Sequence, residues 1–227
     1  MNSHNRKLLE HARNEKFDDV LDDLKYDDIN INASDDEGRT ILHYAAVNNH
    51  FSVITAILSG FNVNVNARDK YGRTPLHDAA SCSNHTIFNA LLDHINININ
   101  IQDNDGMTAL YYTVDNDDDK VMQLLLSHKD IMVNIQNKDG LTPLHYAGMA
   151  NNLILLSFLL SHKDIEVNIE DAEGKTPLHC AIERGQTDFV TQLLTQENVD
   201  VNLTDKYFLA PFYMQLNIVN VNVLKRC

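Results

Sequence analysis

Gly72-Arg-Thr-Pro-Leu-His77 is answered by Gly140-Leu-Thr-Pro-Leu-His145 and Gly174-Lys-Thr-Pro-Leu-His179, and the same frame holds the variants Thr40-Ile-Leu-His43 and Thr108-Ala-Leu-Tyr111. Working outward, Gly38, Gly72, Gly106, Gly140 and Gly174 fall at a constant interval of 34 residues, each with a Thr two positions later. A fixed period of this length marks units that cannot bury their apolar faces alone and must stack on one another. Each unit reads as a helix pair with an extended connector. Thr is a good N-cap and Pro is tolerated at the first helical position, so Thr-Pro-Leu-His opens a first, short helix. Small residues follow it (Ala45 and Ala46, Ala79 and Ala80, Ala147 and Gly148), which permits close approach of neighbours.

Breaks at Asn49, Ser83, Asp117, Asn151 and Gly185 separate this helix from a second one. The second carries apolar residues on one face, as in Val53, Ile54, Ile57 and Leu58 or Leu155, Leu156, Leu159 and Leu160. Alternating stretches such as Val63-Asn-Val-Asn66 then extend the chain toward a tight turn, at Asp-Lys-Tyr-Gly72 or Lys-Asp-Gly140, where Gly can supply a positive φ. His94-Ile-Asn-Ile-Asn-Ile-Asn-Ile101 alternates like a half-buried strand, but its place in the period assigns it to the connector.

These residues resemble the ankyrin repeat, whose Thr-Pro-Leu-His-x-Ala word recurs every 33 residues; here the period is one longer, with the extra residue after helix two. The resemblance implies an all-α solenoid of stacked helix-turn-helix pairs with short β-hairpin loops. It divides the chain into a degenerate first repeat (4–37), five clear repeats (38–71, 72–105, 106–139, 140–173 and 174–207) and a partial last one (208–227), in a single ankyrin-repeat domain. In the first repeat Asp19 and Asp23 stand where Val53 and Ile57 stand in the second, as suits a polar outer face. In the last, Phe208 takes the place of the turn Gly and Ala210-Pro-Phe-Tyr213 imitates Thr-Pro-Leu-His, with the sequence stopping inside the second helix.

Composition bounds the function. The 227 residues carry 18 Lys and Arg against 32 Asp and Glu, a formal charge of −14 and a pI near 5.0, so the overall field repels phosphate backbones and anionic lipids. Neither nucleic acid nor a membrane is an expected partner: no stretch of 18 apolar residues occurs, and a secretory leader is not expected from the polar Met1 to Arg13. Cys82, Cys180 and Cys227 have neither disulfide nor zinc spacing, and the terminal Cys is not a prenylation signal. The expected address is cytoplasmic or nuclear.

Chemistry finds little to use. His43, His77, His145 and His179 recur at one position per repeat, too far apart between stacked helices to share an ion. In the ankyrin family this His makes hydrogen bonds that tie a repeat together. Asp115, Asp117, Asp118 and Asp119 lack the ligand alternation of a calcium loop. No nucleophile, phosphate-cradling loop or metal set emerges, so no catalytic residue, metal or cofactor is expected. The periodic Asn32, Asn66, Asn100, Asn134, Asn168 and Asn202 are read as side chains bonding backbone near the hairpins. In some animal ankyrin proteins such asparagines are substrates of a hydroxylase.

The resemblance further implies that a protein partner docks on the concave face built from hairpin tips and the exposed side of helix one. By repeat position this face comprises Arg39, Tyr44 and Asn48; Tyr71, Arg73, Asp78 and Cys82; Asp105, Met107, Tyr112 and Asp115; Asp139, Leu141, Tyr146 and Met149; and Lys175, Cys180, Glu183 and Arg184. Tyr and Met across the middle units, rimmed by charge, have the anatomy of an interface hot spot. The function expected is a monomeric, non-catalytic protein-interaction module. The alternative is the recognition segment of a larger enzyme, channel or secreted effector.

Overall fold

The computed structural model describes residues 1–82, 84–114 and 119–211. Ser83, Asp115, Asp117, Asp118, Cys227 and most of the partial last repeat, 212–227, lie outside the described residues. Eleven α-helices and one 3-10 turn are present among those described, with no strand beyond an isolated bridge between Ser34 and Thr40. The chain divides into two compact units, residues 1–125 and 126–227.

In the first unit the helices come in pairs: α1 (Ser3–Arg13) with α2 (Phe17–Asp23), α3 (Ile41–Val47) with α4 (Phe51–Gly60), and α5 (Pro75–Ser81) with α6 (His85–Leu92). First helices pack on first helices and second on second, α1 on α3 on α5 and α2 on α4 on α6. A 3-10 turn, Tyr111–Thr113, then packs on α5, and α7 (Asp119–Leu126) runs to the unit's boundary. The second unit repeats the scheme with α8 (Pro143–Ala150), α9 (Leu153–Ser161), α10 (Pro177–Glu183) and α11 (Thr187–Leu193). Its core includes Leu144, Leu155, Leu156, Leu159, Phe189 and Leu193, all essentially inaccessible.

Why the first helices start where they do is a matter of two side chains. Thr40, Thr74, Thr142 and Thr176 are extended N-caps, and the His three residues on completes a reciprocal capping box in each. Chain reversals after them use the left-handed region at Asn49, Asn151 and Gly185.

The tips expected as short β-hairpins are turns stapled by one side chain. In every tip the N–H of the Asp or Asn at its start bonds the carbonyl four residues on, for example Asp69 to Arg73 at 2.9 Å and Asp171 to Lys175 at 2.8 Å. The same Asp69 Oδ1 accepts the N–H groups of Tyr71 and Arg73, each at 2.9 Å. With the carboxylate satisfying these donors, no ladder is needed. Glycine is required here twice over: Gly140 has φ +76°, and a Cβ on it would lie 2.6 Å from the backbone N of Ala172 in the next tip. At the last tip Phe208 adopts φ +62° in the glycine's place.

Two expectations are corrected. Val63-Asn-Val-Asn66 is not extended but turns, with the Ala67 N–H on the Asn64 carbonyl at 3.2 Å. Its alternation survives because Val63 and Val65 are both buried while Asn62 and Asn64 face solvent. Asp23 is not on a polar outer face either: it is buried between α1 and α2, where Lys7 Nζ at 3.2 Å and His11 Nδ1 at 2.7 Å reach its carboxylate.

Candidate interaction surface

The repeated His sits at the base of this surface and positions the tips. In each copy Nδ1 accepts the Thr backbone N–H, as at 3.0 Å from Thr74, while the Thr hydroxyl lies 2.9 Å from the same nitrogen. That leaves Nε2–H to donate, and it donates to the tip of the following repeat: His43 to Arg73 O, His77 to Met107 O, His145 to Lys175 O and His179 to Leu209 O, at 3.0–3.1 Å. One acceptor and one donor is the inventory of a neutral imidazole. Burial accordingly pushes His43 down to about 4, and lowers His77 and His145 as well. The His thus ties one repeat to the next, and not only a repeat to itself.

Of the residues expected on the partner face, several are held inside. Tyr44 is buried, and its hydroxyl donates to Asp35 Oδ2 at 2.6 Å; burial first, then that bond, raises it to about 12. Tyr112 is half-buried and donates likewise to Asp103 Oδ2 at 2.7 Å. Tyr146 is half-buried, and the Asn137 amide approaches its oxygen at 3.4 Å. These tyrosines brace helix one against the tip nine residues back. Sequence reading missed the acceptors, although Asp35, Asp69, Asp103, Asp171 and Asp205 recur with the 34-residue period.

Asp78 occupies the tyrosine's position in its repeat and is also buried, with Arg39 Nη2 at 2.6 Å from its carboxylate. Burial raises its pKa against the pull of Arg39 and Arg73. Without a tyrosine, Asp69 takes Arg73 instead, at 3.0 Å from Nη2; burial works to raise Asp69, but the backbone and side-chain donors of Arg73 hold it below the usual carboxylate range. Cys180 fills the same position in the last clear repeat, buried, its thiol pushed up to about 12 by burial and by Asp171 and Glu183.

In the first unit Tyr71 is exposed with Lys70 and Arg73 against its ring, Asp105 is exposed, and Arg39, Asn48, Arg73 and Met107 are half-buried. Cys82 is exposed, and Asp115 lies outside the described residues. The second unit brings its set together. Asp139, Leu141, Met149, Lys175, Glu183 and Arg184 line one open groove of about 480 Å³, joined by Asp171, Ala172, Glu173, Cys180 and Lys206. Lys175 Nζ holds Glu183 at 2.8 Å and Glu173 at 3.3 Å. Leu141 and Met149 supply apolar wall, and Asp139 and Arg184 are exposed at the rim.

Among the described residues no cluster of His, Cys, Asp and Glu could hold a metal ion, and no helix is long and apolar enough to cross a membrane. A family model for ankyrin repeats in three copies matches residues 8–103, 65–136, 95–171 and 131–205. The fold is similar to the crystal structure of the ankyrin repeat domain of Bcl-3, a member of the IkappaB protein family, with a TM-score of 0.79 at 24% identity over 94% of this chain and 97% of that one. It is also similar to the ankyrin repeat protein EF0377, with a TM-score of 0.74 at 23% identity over 84% of this chain and 97% of that one. No curated protein matches the sequence at a significant level.

Proposed function

We propose that this chain, which belongs to the ankyrin repeat family, is a non-catalytic module that binds a protein partner through its hairpin tips and first helices, acting as a monomer in the cytoplasm or nucleus. Ankyrin repeats are generally protein–protein interaction modules, and that coarser role follows from membership. The observation that carries the finer reading is the groove of residues 139–206, where seven of the residues expected on the partner face converge. A wall of Leu141 and Met149 rimmed by Asp139, Glu183 and Arg184 offers a partner both apolar contact and charge registration. The aromatic contribution moves away from Tyr44, Tyr112 and Tyr146, whose hydroxyls serve the tips, and rests with exposed Tyr71.

The test is affinity capture from source cells with the wild-type chain, a groove variant (Met149→Glu with Arg184→Glu) and a variant on the opposite helix layer (Phe51→Ser). A protein bound by wild type and Phe51→Ser but lost from the groove variant is the expected result. Retention by the groove variant together with loss from Phe51→Ser would place the interface on the second helices.

A further inference from the structure

Of the charged side chains that line the groove of the second unit, all but two are satisfied within it. Lys175 Nζ holds Glu183 at 2.8 Å and Glu173 at 3.3 Å, and Glu173 also takes Lys206. Asp171 Oδ1 accepts the N–H groups of Glu173 and Lys175, each at 2.8 Å. The remaining two are Asp139 and Arg184. Both are exposed, and neither side chain has an ion pair or hydrogen bond among the described residues.

These two stand at opposite ends of the groove. Asp139 belongs to a tip, and its carbonyl accepts the N–H of Ala172 in the next tip at 2.9 Å, which sets it beside the start of α10. Arg184 is the C-cap of α10, a helix length away, or about 10 Å for seven residues. The apolar wall belongs to α8, which packs on α10: Leu141 precedes the Thr142 cap and Met149 is in the last turn, both half-buried. The groove thus offers an unpaired anion, an apolar wall and an unpaired cation.

An extended segment puts its alternate side chains on one face and advances about 13 Å over four residues, which matches that separation once side-chain reach is added. Resting on the groove as the partner site, we infer that its occupant is an extended segment of a partner protein with a basic, an apolar and an acidic residue at alternate positions. The base meets Asp139, the apolar side chain packs on Leu141 and Met149, and the acid meets Arg184. Apolar contact supplies the affinity, and the two charges fix register and direction. A uniformly basic segment, which the formal charge of −14 attracts at long range, would set a like charge against Arg184. A uniformly acidic one would meet Asp139, and Lys175 and Lys206 do not draw it in because glutamates already hold them.

The test titrates acetylated, amidated pentapeptides into the full chain and follows the amide resonances of Leu141, Met149 and Lys175. The probes are Lys-Ala-Leu-Ala-Glu, its reverse Glu-Ala-Leu-Ala-Lys, and the single-sign Lys-Ala-Leu-Ala-Lys and Glu-Ala-Leu-Ala-Glu. At low salt the better of the two mixed-sign peptides is expected to bind the wild-type chain about three- to fivefold more tightly than either single-sign peptide. Asp139→Lys should move the preference to the doubly acidic peptide and Arg184→Glu to the doubly basic one, with circular dichroism and melting unchanged in both. Equal binding of all four peptides at these amides, or a preference that neither substitution moves, overturns the charge pattern and leaves the groove as the binding face. Binding of none, or resonance changes only outside the groove, overturns the proposed occupant, and the groove reading then stands or falls with affinity capture alone.

Discussion

The stretches 74–81 and 108–114 occupy the same frame one period apart, yet only the first winds into a full α-helix; between Ala109 and Val114 the second reaches only a 3-10 turn. Three differences account for it. His77 returns a ring nitrogen to the Thr74 N–H, whereas Tyr111 has no ring acceptor for Thr108. Pro75 presets the first helical φ, and Ala109 does not. Where the first stretch has Ala79 and Ala80, the second has Thr113 and Val114, β-branched and equally buried. The column is tight: a Cβ on Gly148, the counterpart of Val114, would lie 3.1 Å from the Phe189 ring. Thr113 also turns its hydroxyl onto the Leu110 carbonyl at 2.8 Å, competing with the helical ladder. The lesson is that the repeated word is a set of separable devices, each of which can be removed or restored.

Acid is the strongest way to erase the advantage of the first kind of stretch. An unfolded histidine titrates near 6.5, and His43 is held down to about 4 by burial. Below about pH 6.5 the unfolded chain takes up protons that the folded one refuses, so stability present at neutral pH falls as the pH drops toward 4. His43 alone is worth about 3 kcal/mol across that window, and His77 and His145 act in the same direction. Asp69, held low, adds to the loss only as the pH falls into and below the usual carboxylate range, while Asp78, raised by burial, takes up its proton first in the folded chain and works against the histidines at the acid end. Urea unfolding at pH 7, 5.5 and 4.5 should show a steady loss, with amide protection falling at 75–81 before 109–114. A flat profile across these values would mean the histidines are not neutral and buried together.

His77→Tyr turns the regular stretch into a copy of the irregular one. It removes the acceptor for Thr74 and the donor to Met107 O, leaving buried groups unpaired at a cost of about 2–3 kcal/mol. Far-UV circular dichroism and urea midpoints check it; retention of both would show that the cap is dispensable.

How much of this could be read beforehand follows from what periodicity encodes. Position repeats with the sequence, so the Thr cap, the first-helix start and the apolar faces of the second helices were legible. Partners do not repeat in the same way. The His bond to the next tip spans 30 residues, and the bonds of Asn66 to Asn96 O and Asn98 N–H span 30 and 32, and neither reach is visible in a local word. The tyrosines were read as surface because their period matches exposed positions of helix one; the Asp nine residues earlier, which draws each hydroxyl inward, is a tertiary contact. Asp23 was misplaced for the same reason, since His11 and Lys7 reach it from the other helix of its pair.

Tyr111→His runs the comparison in the opposite sense. With Thr108 already in place, it supplies the missing half of the capping box, and about 1 kcal/mol of added stability is expected. Amide protection from Leu110 to Val114 should rise with the urea midpoint. A null result would move the cause to Thr113 and Val114, whose branched side chains no cap can shrink.

The smallest effect separates the cap from the backbone. Ala109→Pro leaves Tyr111 and the branched residues alone and only fixes φ at the position that Pro75, Pro143 and Pro177 hold in their helices. If residue 109 already has helix-compatible backbone, the substitution gains about 0.5 kcal/mol by narrowing the unfolded ensemble. It should then add to Tyr111→His in the double variant, because one acts on the unfolded chain and the other on a folded-state bond. A loss of stability from Ala109→Pro would show instead that the 3-10 geometry begins at residue 109 itself. The three devices of the repeated word would then be coupled, and the proline could be accommodated only after the cap had been restored.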